Sequence, residues 1–584
     1  MRRLPMVLLI ACTASLSRPG LAADAPWQTA PPEQVQQYLA ERSKSIVELQ
    51  PFRRTQVQPV TGTAGRGTAT LIDLNPRIGR WYLLNLDWGD GKEQYFHLEN
   101  GVTGQTLVLD AGVPGGLLLR RGGQAQRCEL WSDGALAAAA ARPTPYAALC
   151  EEQLYLRNAV RGRSSTLEAV VEFLRRHVPG GERLISATKQ TVLKDAGREP
   201  AQLGSRAGEL SDAPSMPAPA RLAPEYAGSQ IGSGSLGITV SRPGSEPLTV
   251  GRWVAVPDVP GVFVSLMTPE AITPGILLGH RDRVSALDAR ESTALVYSVA
   301  FDLEGLELGF ALGTDHPGVE WSPRPPESVR PSSLPGPDGI GSVRPLVNTG
   351  TIPPDDRDRV VATFAGGFKR YHAAFRYGAL ALRNHGSHYG FVQEGVVLSK
   401  LQPGLATVYV LRDGSVDMRA WTDDDNRLLP EVRYARQNGV PLVEWDPAAG
   451  APRPGALVNQ WGPGNWSGSA QGELRTVRAG ACLQQTPHGR YLVYSYFSSA
   501  TPSAMARVFE AFGCRHAMQL DINAPILTYL AIYTGSDADF RVQYLVQSMA
   551  EAEQLVRGHP VPRFLVMPDN RDFFYLMRRR DGSP

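Results

Sequence analysis

The chain of 584 residues is too long for one ordinary hydrophobic core, so at least two domains are expected. Its composition is that of a globular protein, 42% hydrophobic and 20% charged, and 59 glycines with 47 prolines favour many short strands and turns over long helices. A formal net charge of +2, with no basic block inside the chain, offers no electrostatic footprint for nucleic acid, which is excluded as an expected partner.

The chain opens "MRRLPMVLLIACTASLSRPGLAADAPW". Two arginines, an apolar stretch from Met6 to Ala14 and a small-residue exit at Gly20-Leu21-Ala22 have the form of a secretory signal peptide, residues 1–22. The apolar stretch is too short for a membrane span, and no later stretch has the length of a transmembrane helix. Leu9-Ile10-Ala11-Cys12 also has lipobox spacing, which leaves a lipid anchor at Cys12 as the alternative to cleavage after Ala22. A periplasmic or secreted protein is expected. Beyond the signal, Cys128, Cys150, Cys482 and Cys514 form an even set, as in disulfide-bonded exported proteins. Three pairings are open, and the placement of one pair in each half of the chain favours Cys128–Cys150 with Cys482–Cys514.

Residues 27–198 are expected to form a smaller, strand-rich α+β domain to which no chemistry is assigned. A polar helix over Pro31–Gln50 carries Val35, Leu39, Ile46 and Leu49 as its apolar stripe. Strands follow in "GTATLIDL" and "RWYLLNLDWGDGKEQYFHLEN", the latter folded about Gly89-Asp90-Gly91; Asp87 and Asp90 read as turn residues rather than cation ligands. "GQTLVLDAG" and "GGLLLRRG" continue the sheet, and the capping box Ser165-Thr166-Leu167-Glu168 opens a helix. Residues 199–235, rich in Pro, Ala, Ser and Gly, read as a linker.

The remaining residues, 236–578, are expected to form an α+β domain around a mixed sheet. "TALVYSVAFDLEGLELGFALGTDHPG" holds two strands about a Glu-Gly turn. Gly366-Gly367, after an apolar strand, allows a sharp turn or a close ligand approach. "RNHGSHYGFVQEG" places His385, His388 and Glu394 together in a loop. Asn459, Trp461 and Trp466 lie in a Gly-rich segment suited to a polar ligand needing a flat apolar platform. Arg475 and Arg478 then enter a strand. Thr501 as N-cap, Pro502 in the first turn and Gly513 as the stop delimit a helix, and the strand behind it ends in "LDIN", Asp521 and Asn523. Taken alone, that ending is a capped strand entering a turn.

The ordered series "FAGGFK", "YVLRDGSVDMRAW", "RQNGVPLV", "VNQWG", "RAGAC" and "FGCRHAMQLDIN" resembles the bacterial phosphodiester glycosidase family, whose domain is shared with the lysosomal enzyme that uncovers mannose 6-phosphate by removing N-acetylglucosamine. The resemblance runs from about Leu236 to Tyr575. It departs at Ala365, where many members have asparagine, and after Asp521, where the better-known members continue Gly-Gly-Gly-Ser. By position it carries over Asp521, Arg478, Gly366, Gly367 and Phe368. It implies hydrolysis of a glycosyl-1-phosphodiester, or of a related envelope carbohydrate, without a cofactor. Asp521 would be nucleophile or base, Arg478 or Arg475 would meet the phosphate, and His388, His385 or Glu394 would protonate or orient. Asn523, Asn459 and Trp461 would hold the sugar. Two rival readings are a non-catalytic envelope polysaccharide binder and a metal-dependent hydrolase using His385, His388 and Asp521.

Overall fold

The computed structural model describes residues 24–41, 51–62, 65–89, 91, 93–164, 192–206, 216–240, 248–316, 346–368, 389–460, 474–535, 539–556 and 559–580, with 170, 173, 174 and 177–179. The protein is mostly β, built from several antiparallel sheets. No mixed sheet is found: every strand ladder among the described residues is antiparallel, and helix Pro502–Ala511 crosses between two strands of one sheet, Gly489–Ala500 and Cys514–Ile522, that are separated by Thr476–Thr486. The signal segment with Cys12 and most of the Ser165 helix fall outside the described residues. No described helix is long and apolar enough to cross a membrane.

In the N-terminal half, strands Arg54–Gly62, Gly65–Asp73, Trp81–Asp87 and Glu93–Asn100 form a meander within a seven-stranded sheet. The Gly89 turn is as expected, with the Asp87 carboxylate accepting from Gly89 N at 2.8 Å. Helix Pro32–Glu41 precedes it.

The C-terminal half rests on three larger sheets. One has eight strands and includes Val296–Asp302, Gly489–Ala500, Thr476–Thr486, Cys514–Ile522 and Val443–Asp446. The second, five-stranded, contains Leu306–Ala311, Phe573–Arg578 and Val360–Ala365. The third, also five-stranded, contains Phe391–Gln393, Val432–Gln437, Ala406–Leu411 and Val416–Ala420. The two strands about the Glu304-Gly305 turn lie in different sheets, so that turn is a corner rather than a hairpin. Helix Pro502–Ala511 has the expected caps: Thr501 Oγ1 accepts from Ala504 N at 3.3 Å, and Gly513 adopts a φ of 70°.

The segment read as a linker is not a spacer. Gln202–Arg206 and Ser229–Gly232 are strands of a three-stranded sheet, and Ala220, Ala223 and Ile231 are buried with the C-terminal half. Small side chains and prolines lack apolar periodicity, yet backbone bonds such as Ala220 N to Gly251 O, 2.9 Å, dock the segment without it.

The two halves are also joined directly. Ile72, Leu74, Trp81 and Leu83 of the N-terminal sheet pack into the same core cluster as the C-terminal strands. Beside them Arg80 donates to Glu99 (2.9 Å) and Asp355 (2.8 Å) and lies 3.3 Å from Glu394.

Both expected disulfides form, Cys128–Cys150 and Cys482–Cys514. The second closes 32 residues, so replacing both of its cysteines by alanine is expected to lower unfolding free energy by about 3 kcal/mol, read by urea denaturation.

Candidate functional site

Strand Cys514–Ile522 lies inside the eight-stranded sheet between Thr476–Thr486 and Val443–Asp446, which explains its apolar run. It stops at Asn523, whose φ of 85° is a left-handed conformation that asparagine tolerates. Asn523 N still reaches Val477 O at 2.8 Å before the chain turns through Ala524 and Pro525. The local reading of a strand entering a turn is therefore correct. The ladder with Thr476–Thr486 is irregular at this end, with Arg478 opposite Ile522 but Gly480 opposite Gln519. Asp521 is 4% exposed; its Oδ1 accepts from Ile522 N at 2.9 Å, and its Oδ2 pairs with Arg571 Nη1.

The ends of strands from the other two sheets meet it here. Val360–Ala365 runs into Gly366, whose N–H donates to Asp572 O at 2.8 Å. Gly367 follows at a φ of 124°, and a Cβ on it would stand 3.0 Å from Arg436 Nη1 and from Asn438 Cγ. Phe368 N donates to Asn438 Oδ1 (3.3 Å), and Phe368 O accepts from Arg436 Nη2 (2.6 Å). Asn438 Nδ2 donates in turn to the carbonyls of Gln519 and Leu520, the latter at 3.0 Å. Asn438 thus staples the double-glycine turn to the Asp521 strand. Gly367→Ala is expected to lower stability by about 2 kcal/mol through backbone strain and this crowding, measured by chemical denaturation.

Arg436 also bonds Asp572 Oδ2 at 3.2 Å, while Asp572 Oδ1 meets His316 Nδ1 and accepts from Gly313 N at 3.2 Å. Burial pushes the Asp572 carboxyl up, but His316 and Arg436 outweigh it and hold it below its ordinary range. Burial raises the nearby Tyr389 hydroxyl, and among its charged neighbours are Arg436 and Asp521. Four buried polar atoms on these segments have no hydrogen-bond partner among the described residues: Arg436 Nε, Gln519 Nε2, Asn523 Oδ1 and Asn570 Oδ1. Buried polar groups are normally paired, so such a concentration marks a place for water or a polar ligand.

Of the residues singled out from sequence, Gly366, Gly367, Phe368, Asp521 and Asn523 belong to this meeting point. Arg478 is tied to it through Gln519, with Nη1 donating to Gln519 Oε1 at 3.1 Å. Its other bonds go to Ala500 O (2.7 Å) and Leu474 O (2.9 Å), and complete burial pushes its pKa down to about 9. The cation that Asp521 holds is Arg571 instead. Glu394 is not a loop acid: it sits at a φ of 47° between two strands, buried. It accepts from Arg433 Nε (2.9 Å) and Tyr434 OH (2.6 Å). Arg475 faces another neighbourhood, forked onto Asp195 at 3.0 and 2.9 Å and paired with Asp288. Asn459 is half-buried and donates to Asp282 O at 3.1 Å. His385, His388, Trp461 and Trp466 lie outside the described residues. No cluster able to hold a metal is found among the described residues.

Sequence reasoning missed Arg571, Asp572 and His316 and took Arg436-Gln437-Asn438 only as part of a matching block. One signal was available for the first two: "PDNRD" is a dense polar run set directly against the apolar strand Phe573–Arg578.

No family model and no curated protein matches the chain. A solved structure described as a "Putative exported protein" from Burkholderia pseudomallei K96243 is similar at 10% identity, over 50% of this chain and 75% of that one, with a TM-score of 0.18.

Proposed function

We propose that the C-terminal half is a phosphodiester-glycosidase-like domain of an exported hydrolase. Its substrate is a glycosyl-1-phosphodiester or a related envelope carbohydrate. The observation that carries the reading is the convergence of Gly366–Phe368, Arg436–Asn438 and Gln519–Asn523, three blocks of the resemblance far apart in sequence, on one carboxylate, Asp521. The four unpartnered polar atoms around it suit a hydroxyl-rich ligand. The two disulfides accord with an oxidising compartment, hence a periplasmic or secreted location.

In this reading Asp521 attacks the anomeric carbon, directly or through a water for which it is the base. The bond from that carbon to the phosphate oxygen breaks, and the bonding pair leaves with a phosphate monoester. Such a leaving group is a far weaker base than an alkoxide and needs little general-acid help. Arg571 orients the Asp521 carboxylate. Arg436 adds positive charge beside the turn, and its partner Asp572 also holds His316. Asn523 Oδ1 accepts from a sugar hydroxyl.

Purified protein lacking residues 1–22, given a panel of sugar-1-phosphodiesters with and without chelator, is expected to release phosphate monoester in both conditions. Absence of turnover on every member by well-folded protein would sink the reading, and loss of turnover on chelation would favour a metal-dependent one. One observation favours the non-catalytic alternative: Arg436, Asp521, Arg571 and Asp572 are all at most 4% exposed, as in a network that merely locks three sheets together. That alternative predicts carbohydrate binding without turnover.

A further inference from the structure

A concave feature lies near the start of the strand that ends in Asp521. There the Val416–Ala420 strand, at the edge of its sheet, crosses the beginning of Cys514–Ile522 and the end of Thr476–Thr486. A cavity of about 380 Å3 opens between them, walled by Asp417, Arg419, Gln485, Arg490, Arg515 and His516. That volume lies within the range of small-molecule sites. Counting from His516 at the strand rise, it is about 17 Å from Asp521, too far to be part of the same centre.

The charges of this wall do not cancel. Asp417, its one carboxylate, is already engaged, accepting from Arg419 at 2.6 Å and from Tyr409 OH at 2.8 Å. Arg419 takes a second carboxylate, Asp425, at 3.2 Å. Arg490 and Arg515 have no carboxylate within ion-pair distance among the described residues. Arg490 donates to Val416 O, and Arg515 donates to Gln485 Oε1 at 2.7 Å while lying flat over Trp445, 4.4 Å from the ring centre. Trp445 and Gln485 thereby hold one guanidinium plane in place, and Arg490 is held through Nη2 by a backbone carbonyl. Between these cations His516 presents a buried Nδ1 with no hydrogen-bond partner among the described residues. Burial, aided by Arg515 and Arg419 against Asp417, pushes His516 down to about 4, so at neutral pH the ring is an uncharged hydrogen-bonding group.

Two fixed, uncompensated guanidinium groups and an unsatisfied imidazole nitrogen in one polar cavity are the complement of an oxyanion. Guanidinium groups match the oxygens of phosphate and carboxylate, and the polar wall accommodates hydroxyls. We propose that this cleft binds an oxyanion, a phosphate or a carboxylate, carried on a small polyhydroxylated ligand. The inference stands apart from the reaction assigned to Asp521.

Calorimetric titration with inorganic phosphate, glucose 1-phosphate, glucuronate and glucose tests it, the first two against the third distinguishing phosphate from carboxylate. Binding of an anion but not of glucose is expected, weakened about tenfold or more by Arg490→Gln or Arg515→Gln. Arg515 is half-exposed, so its variant is expected to fold. In the unaltered protein, the His516 ring resonances, assigned by their loss in His516→Gln, should shift during the same titration. Absence of anion binding, binding undiminished in both arginine variants, or His516 resonances that stay put at saturation would each overturn the proposal.

Discussion

Asp521→Asn is expected to reduce turnover of a glycosyl phosphodiester by about a thousandfold or more, the scale on which removal of a central catalytic group acts. The substitution preserves volume and the oxygen that accepts from Ile522 N, but removes the charge paired with Arg571. An amide is neither a nucleophile nor a base at neutral pH. Taking away one member of a buried ion pair also destabilises, here by about 3 kcal/mol, so a loss of activity by unfolding has to be separated from a loss of chemistry. Arg571→Lys supplies the control: it keeps the positive charge and relaxes only the orientation of the carboxylate, so a partial loss of kcat is expected in a folded protein. Activity compared at a temperature where circular dichroism shows all three proteins folded settles the matter. Turnover unchanged in Asp521→Asn would move the chemistry away from this strand.

Glu394→Ala is expected to act on stability and not on the chemistry of the folded fraction. Its carboxylate stands between Arg433 at 2.9 Å and Arg80 at 3.3 Å, with Tyr434 OH as a further donor. Removing it leaves half-buried Arg433 without its carboxylate, while Arg80 keeps Glu99 and Asp355, a loss of about 3 kcal/mol. Burial alone would raise the Glu394 carboxyl; Arg433 and Arg80 overcome that and hold it below 4.5. A depressed carboxylate contributes stability above its unfolded value and loses it as pH falls through the folded value. The gap between parent and variant in urea midpoints should therefore be full at neutral pH and shrink only below about pH 4.5. A variant equal in stability to the parent but with reduced kcat would restore the catalytic role read from the sequence.

Local features of this protein are legible from sequence because their causes are local. Thr501, Pro502 and Gly513 bracket a helix by satisfying or removing its orphan donors. The apolar run before Asp521 identifies a buried strand, and the even cysteine count points to disulfides, the placement of two cysteines in each half favouring the pairs that form. The sheets to which strands belong are less visible. Val296–Asp302 and Leu306–Ala311 differ in no pattern from a hairpin, and only the surrounding strands decide that they part. The site is half legible for the same reason. Residues delivered by strand ends, such as Gly367 and Asp521, can be read off a motif. Their charge partners cannot: Arg571 lies 50 residues beyond Asp521, and His316 lies 256 before Asp572. Glu394 and Arg475 are paired with charges away from Asp521, and an ionisable group near glycine looks the same in sequence whether it awaits a ligand or an arginine.

The bond between Arg80 and Asp355 joins residues 275 apart, and Arg77 meets Glu431 across 354. Contacts so distant in sequence form late, since each closes a long loop before other contacts reward it. During synthesis the N-terminal sheet has its strands before the surface that covers Ile72, Leu74, Trp81 and Leu83 exists. Those apolar residues remain open until the last third of the chain arrives. Slow maturation follows, together with rapid proteolysis of any form truncated after the first sheet.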